Sequence, residues 1–381
     1  MRVQARLVAA SVTFALSTLA WAAEPIMDSQ MLPAAMQATI NFMWIGRFAD
    51  ATHQAEKALL LAQQQYGSLH PLTVPLLNDL GTLYRCQALY SKAMENFEWG
   101  LAIRENALGL EDPSIAESLN LMAGLNVDLG RYSLALSQYK RALKIQEKVI
   151  QKDPTLVAAI LQQMGLVYLL MGDSGKARTT LERCLLIRER AWGTQSVFLV
   201  ESLELVSRVD QMQGKFGPAE EGLKRCLAIQ RKNFPAERLE VLDSTDRLAA
   251  FYWAQGRKDD AKGLYEMSEK IRDTFLSSDT YTNLPVLQAA AAADLALGRL
   301  KATEALLTRI LKLRNSIYGP DHPLVALGLE DQASLEETEG HKAKAIGHLK
   351  EAKAILEKVF DPDHPELDVV EKRLEKLSKA K

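Results

Sequence analysis

Few residues of this sequence suggest a catalytic or metal-binding site, and one motif that could form such a site occurs twice. The tripeptide Asp-His-Pro occurs with its histidine at His322 and again with its histidine at His364, 42 residues later. A histidine beside an aspartate suits a metal site or an acid–base pair, because a carboxylate can orient the imidazole ring. The same regular spacing also suits a structural signal that recurs once in each unit of a repeat. The rest of the sequence decides between these two interpretations.

The other chemically active residue types form no recognisable site. The sequence contains no Gly-rich phosphate loop, no His-Glu-x-x-His pair and no Gly-x-Ser-x-Gly elbow. Of the three cysteines, Cys184 and Cys226 are 42 residues apart, a spacing that would put their Cα atoms beyond the ~7 Å disulfide limit in stacked helices. We expect both to be buried in place of alanine, and Cys86 to be partly exposed. The prediction is a protein with no catalytic residue, no metal and no cofactor.

A glycine recurs at a fixed interval. Neighbouring members of the series are 42 or 84 residues apart, and the missing member falls at Ala88. Small residues recur seven positions before this point and five positions after it, where they would let two helices approach closely. The sequence therefore predicts stacked pairs of helices joined at the glycine, which stands at Gly46, Gly130, Gly172, Gly214, Gly256, Gly298 and Gly340.

The histidines fit this repeat as structural positions. His70-Pro71, His322-Pro323 and His364-Pro365 all lie 24 and 25 residues after the glycine position, and Asp112-Pro113 takes the same place in the second unit. Proline suits the first turn of a helix, and a preceding aspartate can cap its free N–H groups. We interpret Asp-His-Pro as the start of the next helix. A metal site is disfavoured because equivalent positions of a stack lie in different units.

The repeat resembles a known family. The segments LNDLGTLY (77–84), RALKIQEKV (141–149) and YGPDHPLVA (318–326) resemble the tetratricopeptide repeat in the 42-residue form of kinesin light chain. This resemblance implies an all-α, right-handed superhelical solenoid of helix-turn-helix units. The predicted boundaries are eight repeats at 32–73, 74–115, 116–157, 158–199, 200–241, 242–283, 284–325 and 326–367, with a capping helix at 368–381.

The first 22 residues differ from the repeats. Arg2 and Arg6 precede an apolar run, which ends in Ala-Trp-Ala before Ala23. This pattern predicts a cleavable export signal at 1–22, followed by a short segment at 23–31. An uncleaved membrane anchor is the alternative, although the run is short for a span. We expect an exported chain in a bacterial periplasm, without stable membrane insertion after cleavage. The formal charge of −2 and the absence of a basic stripe argue against nucleic acid as a partner.

The resemblance also implies a binding surface. In such repeats the first helices line a concave groove, and asparagines ten residues before the turn hold an extended peptide. Asn78 and Asn120 match that pattern, Gln162 is a longer substitute, and later positions depart from it. Neighbouring columns add two arginines and a tryptophan. The predicted peptide-binding residues are Asn78, Arg85, Asn120, Gln162, Glu204, Arg208, Asp246 and Trp253.

Three functions are compatible with this sequence. The first is a scaffold that binds a protein or an extended peptide in its concave groove, and the unbroken repeat favours it. The second is a structural component that assembles with an envelope complex, or with copies of itself, through its outer faces. The third is an enzyme or regulatory subunit whose site the motifs do not show, and the lack of an inserted domain disfavours it. The sequence specifies neither the partner nor the oligomeric state.

Overall fold

The protein is an all-α repeat solenoid. The computed structural model describes residues 31–149, 154–275 and 281–379, which form seventeen α-helices and no strand. The predicted export signal lies outside these described residues. None of the described helices combines the length and apolar character that crossing a lipid bilayer would require. The eight repeat boundaries stay a prediction, because the helices show where the pairs lie but not where one unit ends.

The helices alternate between first and second members of a pair. Odd-numbered helices α1 to α15 come before the glycine position and even-numbered helices follow it, with α17 last. In chain order they are α1 Met31–Trp44, α2 Phe48–Tyr66, α3 Val74–Cys86, α4 Tyr90–Leu108, α5 Pro113–Asp128, α6 Tyr132–Glu147, α7 Thr155–Leu170, α8 Ser174–Trp192, α9 Val200–Met212, α10 Phe216–Asn233, α11 Leu239–Ala254, α12 Lys258–Phe275, α13 Leu284–Ala296, α14 Leu300–Tyr318, α15 Pro323–Glu339, α16 Lys342–Val359 and α17 Pro365–Lys379.

The turn glycine ends each first helix because the backbone there is left-handed. Gly130 has φ +69°, and the N–H of Arg131 reaches back to the carbonyl of Asn126 at 2.8 Å. This hydrogen bond closes the helix end in the way a Schellman motif does. Ala88 takes the same conformation with φ +56°, the one non-glycine residue with positive φ among the described residues. The second repeat therefore turns at the same place without its glycine, at some cost in backbone energy.

The small residues let the two helices of a pair touch. A Cβ placed on Gly81 would lie 2.5 Å from the ring of Phe97, and one on Gly165 would lie 2.5 Å from Leu181. Ala93, five residues after the turn position, is fully buried. A large side chain on the second helix thus fills the space that the small residue leaves on the first. This close approach confirms the helix pairing predicted from the spacing of small residues.

The chain divides into two compact units. The first contains residues up to Lys148 together with Arg314–Glu330 and Ile346–Lys381, so it is built from distant parts of the sequence. The second contains Val149–Leu313 and Asp331–Ala345. In the second unit, an apolar cluster that includes Leu223, Val241 and Phe251 is almost fully buried. Each unit therefore packs helices from more than one pair around its own core.

Candidate functional site

The polar column ten residues before the turn is not open to a groove at three of its positions. Asn78, Gln162 and Asp246 are between 4% and 7% exposed. The Oδ1 atom of Asn78 lies 3.3 Å from the place where a Cβ on Gly100 of the paired helix would stand. These three side chains are buried in the structure, and their assignment as peptide-binding residues stays a prediction.

Arginines of the paired second helices donate hydrogen bonds to two of these side chains. Arg272 Nη1 donates to Oδ1 of Asp246 at 2.8 Å, and Arg188 Nη1 donates to Oε1 of Gln162 at 2.6 Å. Both arginines stand sixteen residues after the turn position, as does Arg104 in the second repeat. Arg104 donates to the carbonyl of Ser114 on the next first helix at 2.7 Å. These arginines join neighbouring helices in the interior, where an unpaired polar group is costly.

Two asparagines keep side-chain atoms without a partner among the described residues. Both side-chain polar atoms of Asn78 and the Oδ1 atom of Asn120 are buried and make no hydrogen bond. Asn120 as a residue is half-buried, on helix α5. Beside them, burial and the nearby Glu117 raise the pKa of Asp79 to about 7. The first unit therefore presents a polar, poorly satisfied face on helices α3 and α5.

Arg85 is a structural side chain. Its guanidinium makes a two-pronged ion pair with Asp128, with Nη2 to Oδ1 at 2.9 Å, and so joins helix α3 to helix α5. The side chains of Arg85 and Asp128 are 16% and 5% exposed. A paired guanidinium of this kind holds two helices together and has little capacity left for a ligand. Any role of Arg85 in binding stays a prediction.

Arg208, in the second unit, lacks the ion pair that Arg85 has. It is partly exposed on helix α9, and its guanidinium makes no hydrogen bond or ion pair with any described residue. Burial and the neighbouring Arg247 lower its pKa to about 10, so it stays charged at neutral pH. Burial raises the pKa of Glu204, one helical turn away, to about 7, although Arg247 lies 3.3 Å from its carboxylate. Arg247 is also paired with Asp243 at 2.8 Å, so this corner holds two cations, that carboxylate and a weakly charged acid.

Trp253 is packed in part and not freely exposed. It lies against the apolar cluster of the second unit, on helix α11. The Nζ atom of Lys258 stands 5.3 Å from its ring centroid, within the range of a cation–π contact. The structure thus accounts for Trp253 as a packing residue, and its role in a binding groove stays a prediction.

His322 and His364 make contacts that the sequence did not predict. In each ring Nδ1 accepts a hydrogen bond from the backbone N–H two residues later, which caps the following helix. The Nε2 atom of His322 lies 3.1 Å from the carbonyl oxygen of Cys86, and that of His364 lies 2.9 Å from the carbonyl oxygen of Asp128. Both pairs span 236 residues within the first unit. We call these contacts, with the ring stacking described next, the docking seam.

Aromatic rings complete the docking seam. Tyr318 stacks on Phe48 with centroids 5.6 Å apart, and Phe360 stacks on Tyr90 at 5.9 Å. Each of these later rings also stacks on the histidine four residues after it. A Cβ on Gly130 would lie only 2.5 Å from Pro365, so the eighth tip, Phe360–Pro365, covers that turn directly. The seventh tip, Tyr318–Pro323, and the eighth tip therefore dock on the turns of the second and third repeats.

Both ring nitrogens of these histidines are occupied by protein groups. Nδ1 accepts from an N–H, so the proton of the neutral ring stands on Nε2, which donates to the carbonyl. Burial lowers the pKa of His322 to about 4 and also lowers that of His364. A neutral ring with both nitrogens engaged offers no lone pair to a metal ion. The structural interpretation of Asp-His-Pro fits these contacts, with the histidine itself as the cap in place of the expected aspartate.

Glu366→Gln is expected to raise the free energy of unfolding above pH 7 by about 2 kcal/mol and to leave it unchanged near pH 4. Burial, with Glu330 and Asp128 nearby, raises the pKa of Glu366 from 4.5 to about 7. The folded chain therefore keeps a proton that the unfolded chain releases, and stability is lost as pH rises between these two values. Urea unfolding of both proteins across this pH range measures the difference.

A matched control for this prediction is Glu371→Gln, an exposed position on the same helix α17. His322 acts in the opposite sense, because its contribution is lost as pH falls from about 6.5 to about 4, and comparison at each pH removes it. A difference between Glu366→Gln and the unchanged protein that stays constant with pH would contradict the assignment.

One group of possible metal ligands stands in the second unit. Ligand atoms of Glu336, Glu339 and His341 lie within 4.8 Å of one another. His341 Nδ1 is already 2.8 Å from Glu336, and Nζ of Lys344 is 3.5 Å from the same carboxylate. The acidic groups thus have cationic neighbours of their own, and we assign no metal to them.

A cavity of about 530 Å³ lies beside the second helices of the second unit. Its apolar lining includes Leu227, Leu248 and Leu264, and Lys224 and Arg231 add positive charge. Helices α10, α11 and α12 supply these residues, whereas Arg208 lies on helix α9.

Comparison with known families places the fold. The sequence model of the tetratricopeptide repeat matches residues 37–106, 156–232 and 284–368, and a second model of the same description matches 116–149. Together they cover more than half of the chain, on the helix pairs described above. The chain belongs to the tetratricopeptide repeat family. No curated protein matches this tetratricopeptide repeat protein.

Solved structures share its architecture. A Rap protein complexed with Competence and Sporulation Factor is 16% identical, with 93% of this chain and 90% of that chain covered and a TM-score of 0.60. BtubC (BKLC) from P. vanneervenii is 18% identical over 67% of this chain and 94% of its own, with a TM-score of 0.51. A putative kinesin light chain from Podospora anserina is 24% identical over 55% and 99%, with a TM-score of 0.49. At these identities the likeness shows the fold alone.

Proposed function

We propose that this tetratricopeptide repeat protein is an exported, non-enzymatic scaffold that binds an extended segment of another protein along its first helices. The observation that carries this proposal is Arg208, a partly exposed and charged guanidinium without a partner among the described residues. A charged guanidinium without a partner in the chain can donate hydrogen bonds to a carboxylate or a carbonyl of a ligand. The Rap structure, solved with a bound factor, supports the use of this fold for binding.

The chemistry around Arg208 favours a ligand segment that carries a carboxylate. Two guanidinium groups, those of Arg208 and Arg247, stand near one another, and Glu204 has its pKa raised to about 7. Arg247 is paired with Asp243, so Arg208 is the guanidinium that stays available to an acidic side chain of a ligand. Gln211 follows on the same face of helix α9 and has an amide that can hold a peptide backbone.

A second function, assembly with an envelope partner through the outer surface, rests on the cavity that Lys224 and Leu227 line. An apolar floor with positive charge beside it suits an amphipathic acidic segment. The two functions use residues of different helices, so placing a reactive group at each site separates them.

Site-specific photo-crosslinking is the experiment that tests the proposal. The full chain, with its own N-terminus, is expressed in a bacterium with a photoreactive residue at Gln211 or at Lys224. We expect recovery from the periplasmic fraction, a protein partner at Gln211, and little at Lys224. Arg208→Gln should reduce that crosslink at least about tenfold, because a hydrogen bond to a charged group contributes ~1.5–3 kcal/mol.

The matched control is Arg238→Gln, an arginine whose side chain is 58% exposed and paired with Glu240. Circular dichroism confirms that both variants keep their helices. A partner at Lys224 with none at Gln211 would favour outer-surface assembly. Retention of the chain in the cytoplasm with an uncleaved N-terminus would contradict export, and a crosslink unaffected by Arg208→Gln would contradict the groove site.

A further inference from the structure

A recurring ion pair joins consecutive second helices of the stack. The glutamate seventeen residues after one turn position pairs with the arginine eleven residues after the next turn position. Glu105 of helix α4 pairs in this way with Arg141 of helix α6 at 2.7 Å, and Glu189 of helix α8 pairs with Arg225 of helix α10 at 2.6 Å. Both pairs span 36 residues. An acid on one second helix thus meets a cation on the next.

The recurring ion pair is missing between helices α10 and α12. Arg231 takes the glutamate position, and Met267 takes the arginine position. The Nη2 atom of Arg231 lies 3.5 Å from the Sδ atom of Met267, again across 36 residues. A thioether is a weak acceptor and carries no charge. Arg231 is exposed and makes no ion pair with any residue that the structure describes, so this cation has no acid beside it.

The cavity of about 530 Å³ lies between the same two helices, and Arg231 lines it. Leu227, Leu248 and Leu264 form its apolar section. Leu264 stands eight residues after its turn position, which holds glutamine in the first and third repeats. The loss of the ion pair and the gain of an apolar wall therefore coincide at one place in the chain.

The charged groups farther along the cavity are already paired. Lys224 precedes Arg231 by two turns of helix α10, about 10 Å along the axis. Its Nζ atom lies 2.7 Å from the carboxylate of Glu220. Arg257 contacts the same Glu220 at 2.8 Å and Asp260 at 2.7 Å. Arg231 is therefore the lining cation that stays available to a ligand.

The cavity suits a thin apolar chain better than a peptide. The contact between Arg231 and Met267 joins its two walls at one end, whereas a helix with its side chains is about 10–12 Å wide. An extended peptide would place backbone N–H and C=O groups over the three leucines, whose side chains offer them no hydrogen-bond partner. Unpaired backbone groups are costly in an apolar site. A hydrocarbon chain has no such groups.

We propose that this cavity binds a single-chain amphiphile with a carboxylate head, the chemistry of a fatty acid. The carboxylate binds the guanidinium of Arg231, in place of the glutamate that forms the recurring ion pair elsewhere. The hydrocarbon chain lies over Leu227, Leu248 and Leu264. This site shares no residue with the Arg208 groove, so it goes beyond the binding function proposed for that groove.

Calorimetric titration of the purified full chain with decanoate, below the concentration at which decanoate forms micelles, tests this site. Decanoate should bind, and octanoate should bind about tenfold more weakly because it buries two fewer methylene groups. The alcohol 1-decanol has the same chain without the charge and should also bind about tenfold more weakly than decanoate. Arg231→Gln should weaken decanoate binding about tenfold and leave 1-decanol binding unchanged.

Arg231→Glu combined with Met267→Arg rebuilds the recurring ion pair and places an acid where the carboxylate would bind. This double variant should lose decanoate binding while its urea midpoint stays the same or rises, which shows that it is folded. Leu264→Gln should weaken decanoate and 1-decanol alike. Lys232→Gln is the matched control and should change neither, since Lys232 is exposed on the same helix and does not line the cavity.

Three calorimetric results would overturn the proposal: no binding of decanoate, equal binding of decanoate and 1-decanol, or equal losses of affinity in Arg231→Gln and Lys232→Gln. A protein captured by the photoreactive residue at Lys224 would overturn it as well, because that result assigns the cavity to outer-surface assembly.

Discussion

Arg85→Ala is expected to lower the free energy of unfolding by about 3–5 kcal/mol. The substitution leaves the carboxylate of Asp128 buried without its cation, and the Asp128 side chain is only 5% exposed. The same residue supplies the carbonyl that His364 binds, so the loss should also loosen the docking seam. Urea unfolding followed by circular dichroism measures the change.

Two further variants show how much of this loss comes from leaving a buried charge unpaired. Arg47→Ala removes a pair with Asp50 whose side chains are 58% and 45% exposed, and should cost less than about 1 kcal/mol. Arg85→Met with Asp128→Leu removes both charges and should cost less than Arg85→Ala alone. If Arg85→Ala resembled Arg47→Ala, the ion pair would not be a structural link, and Arg85 would again be available for the groove.

Gly130→Ala is expected to lower the free energy of unfolding by about 2–4 kcal/mol in total. Alanine in the left-handed conformation at φ +69° contributes about 1 kcal/mol. The rest comes from the added methyl group, which would stand 2.5 Å from Pro365 and push the eighth tip off its turn. Urea midpoints of the variant and the unchanged protein give the loss.

Gly172→Ala is the matched control for this effect. Its φ of +76° imposes the same backbone penalty, and a Cβ there would meet no atom within 4 Å. The difference between the two variants therefore measures the contact with Pro365. Hydrogen exchange should become faster in helix α17 for Gly130→Ala and stay unchanged there for Gly172→Ala. Equal losses in the two variants would show that the contact contributes nothing to stability.

The helix pairs could be predicted from the sequence because they depend on local rules. A left-handed residue, glycine everywhere except at Ala88, ends each first helix, and the small residue seven positions before it leaves room for a ring such as Phe97. Both features repeat at a fixed interval, so each unit supports the interpretation of the others. The fold class follows from these short-range requirements.

The burial of three predicted site residues follows from a feature that the sequence does contain. Asn78, Gln162 and Asp246 share a helical position that the family resemblance assigns to a groove, yet all three are buried. The missed signal was the series of Arg104, Arg188 and Arg272, spaced at 84 residues. Arginines at this recurring position need hydrogen-bond acceptors, and the polar column supplies them to two of the three. Arg208 lies outside that series and is partly exposed.

The docking seam could not be predicted from local patterns. Its contacts join residues 236 positions apart, far beyond the range of local sequence rules. The sequence does repeat the participating rings, with Phe48 and Tyr90 in one series and Tyr318 and Phe360 in the other. This recurrence indicates that both series of rings have a structural role, but it does not show that one series packs on the other.

The docking seam also bears on the order in which the chain folds during synthesis. In most repeat arrays each unit is stabilised by packing on its neighbour. Early repeats can therefore fold while later ones are still being synthesised. Here the turns at Ala88 and Gly130 receive their partners only after His322 and His364 have left the ribosome. Contacts this distant in sequence form late and slowly. The first unit therefore stays incomplete until nearly all of the chain has been synthesised.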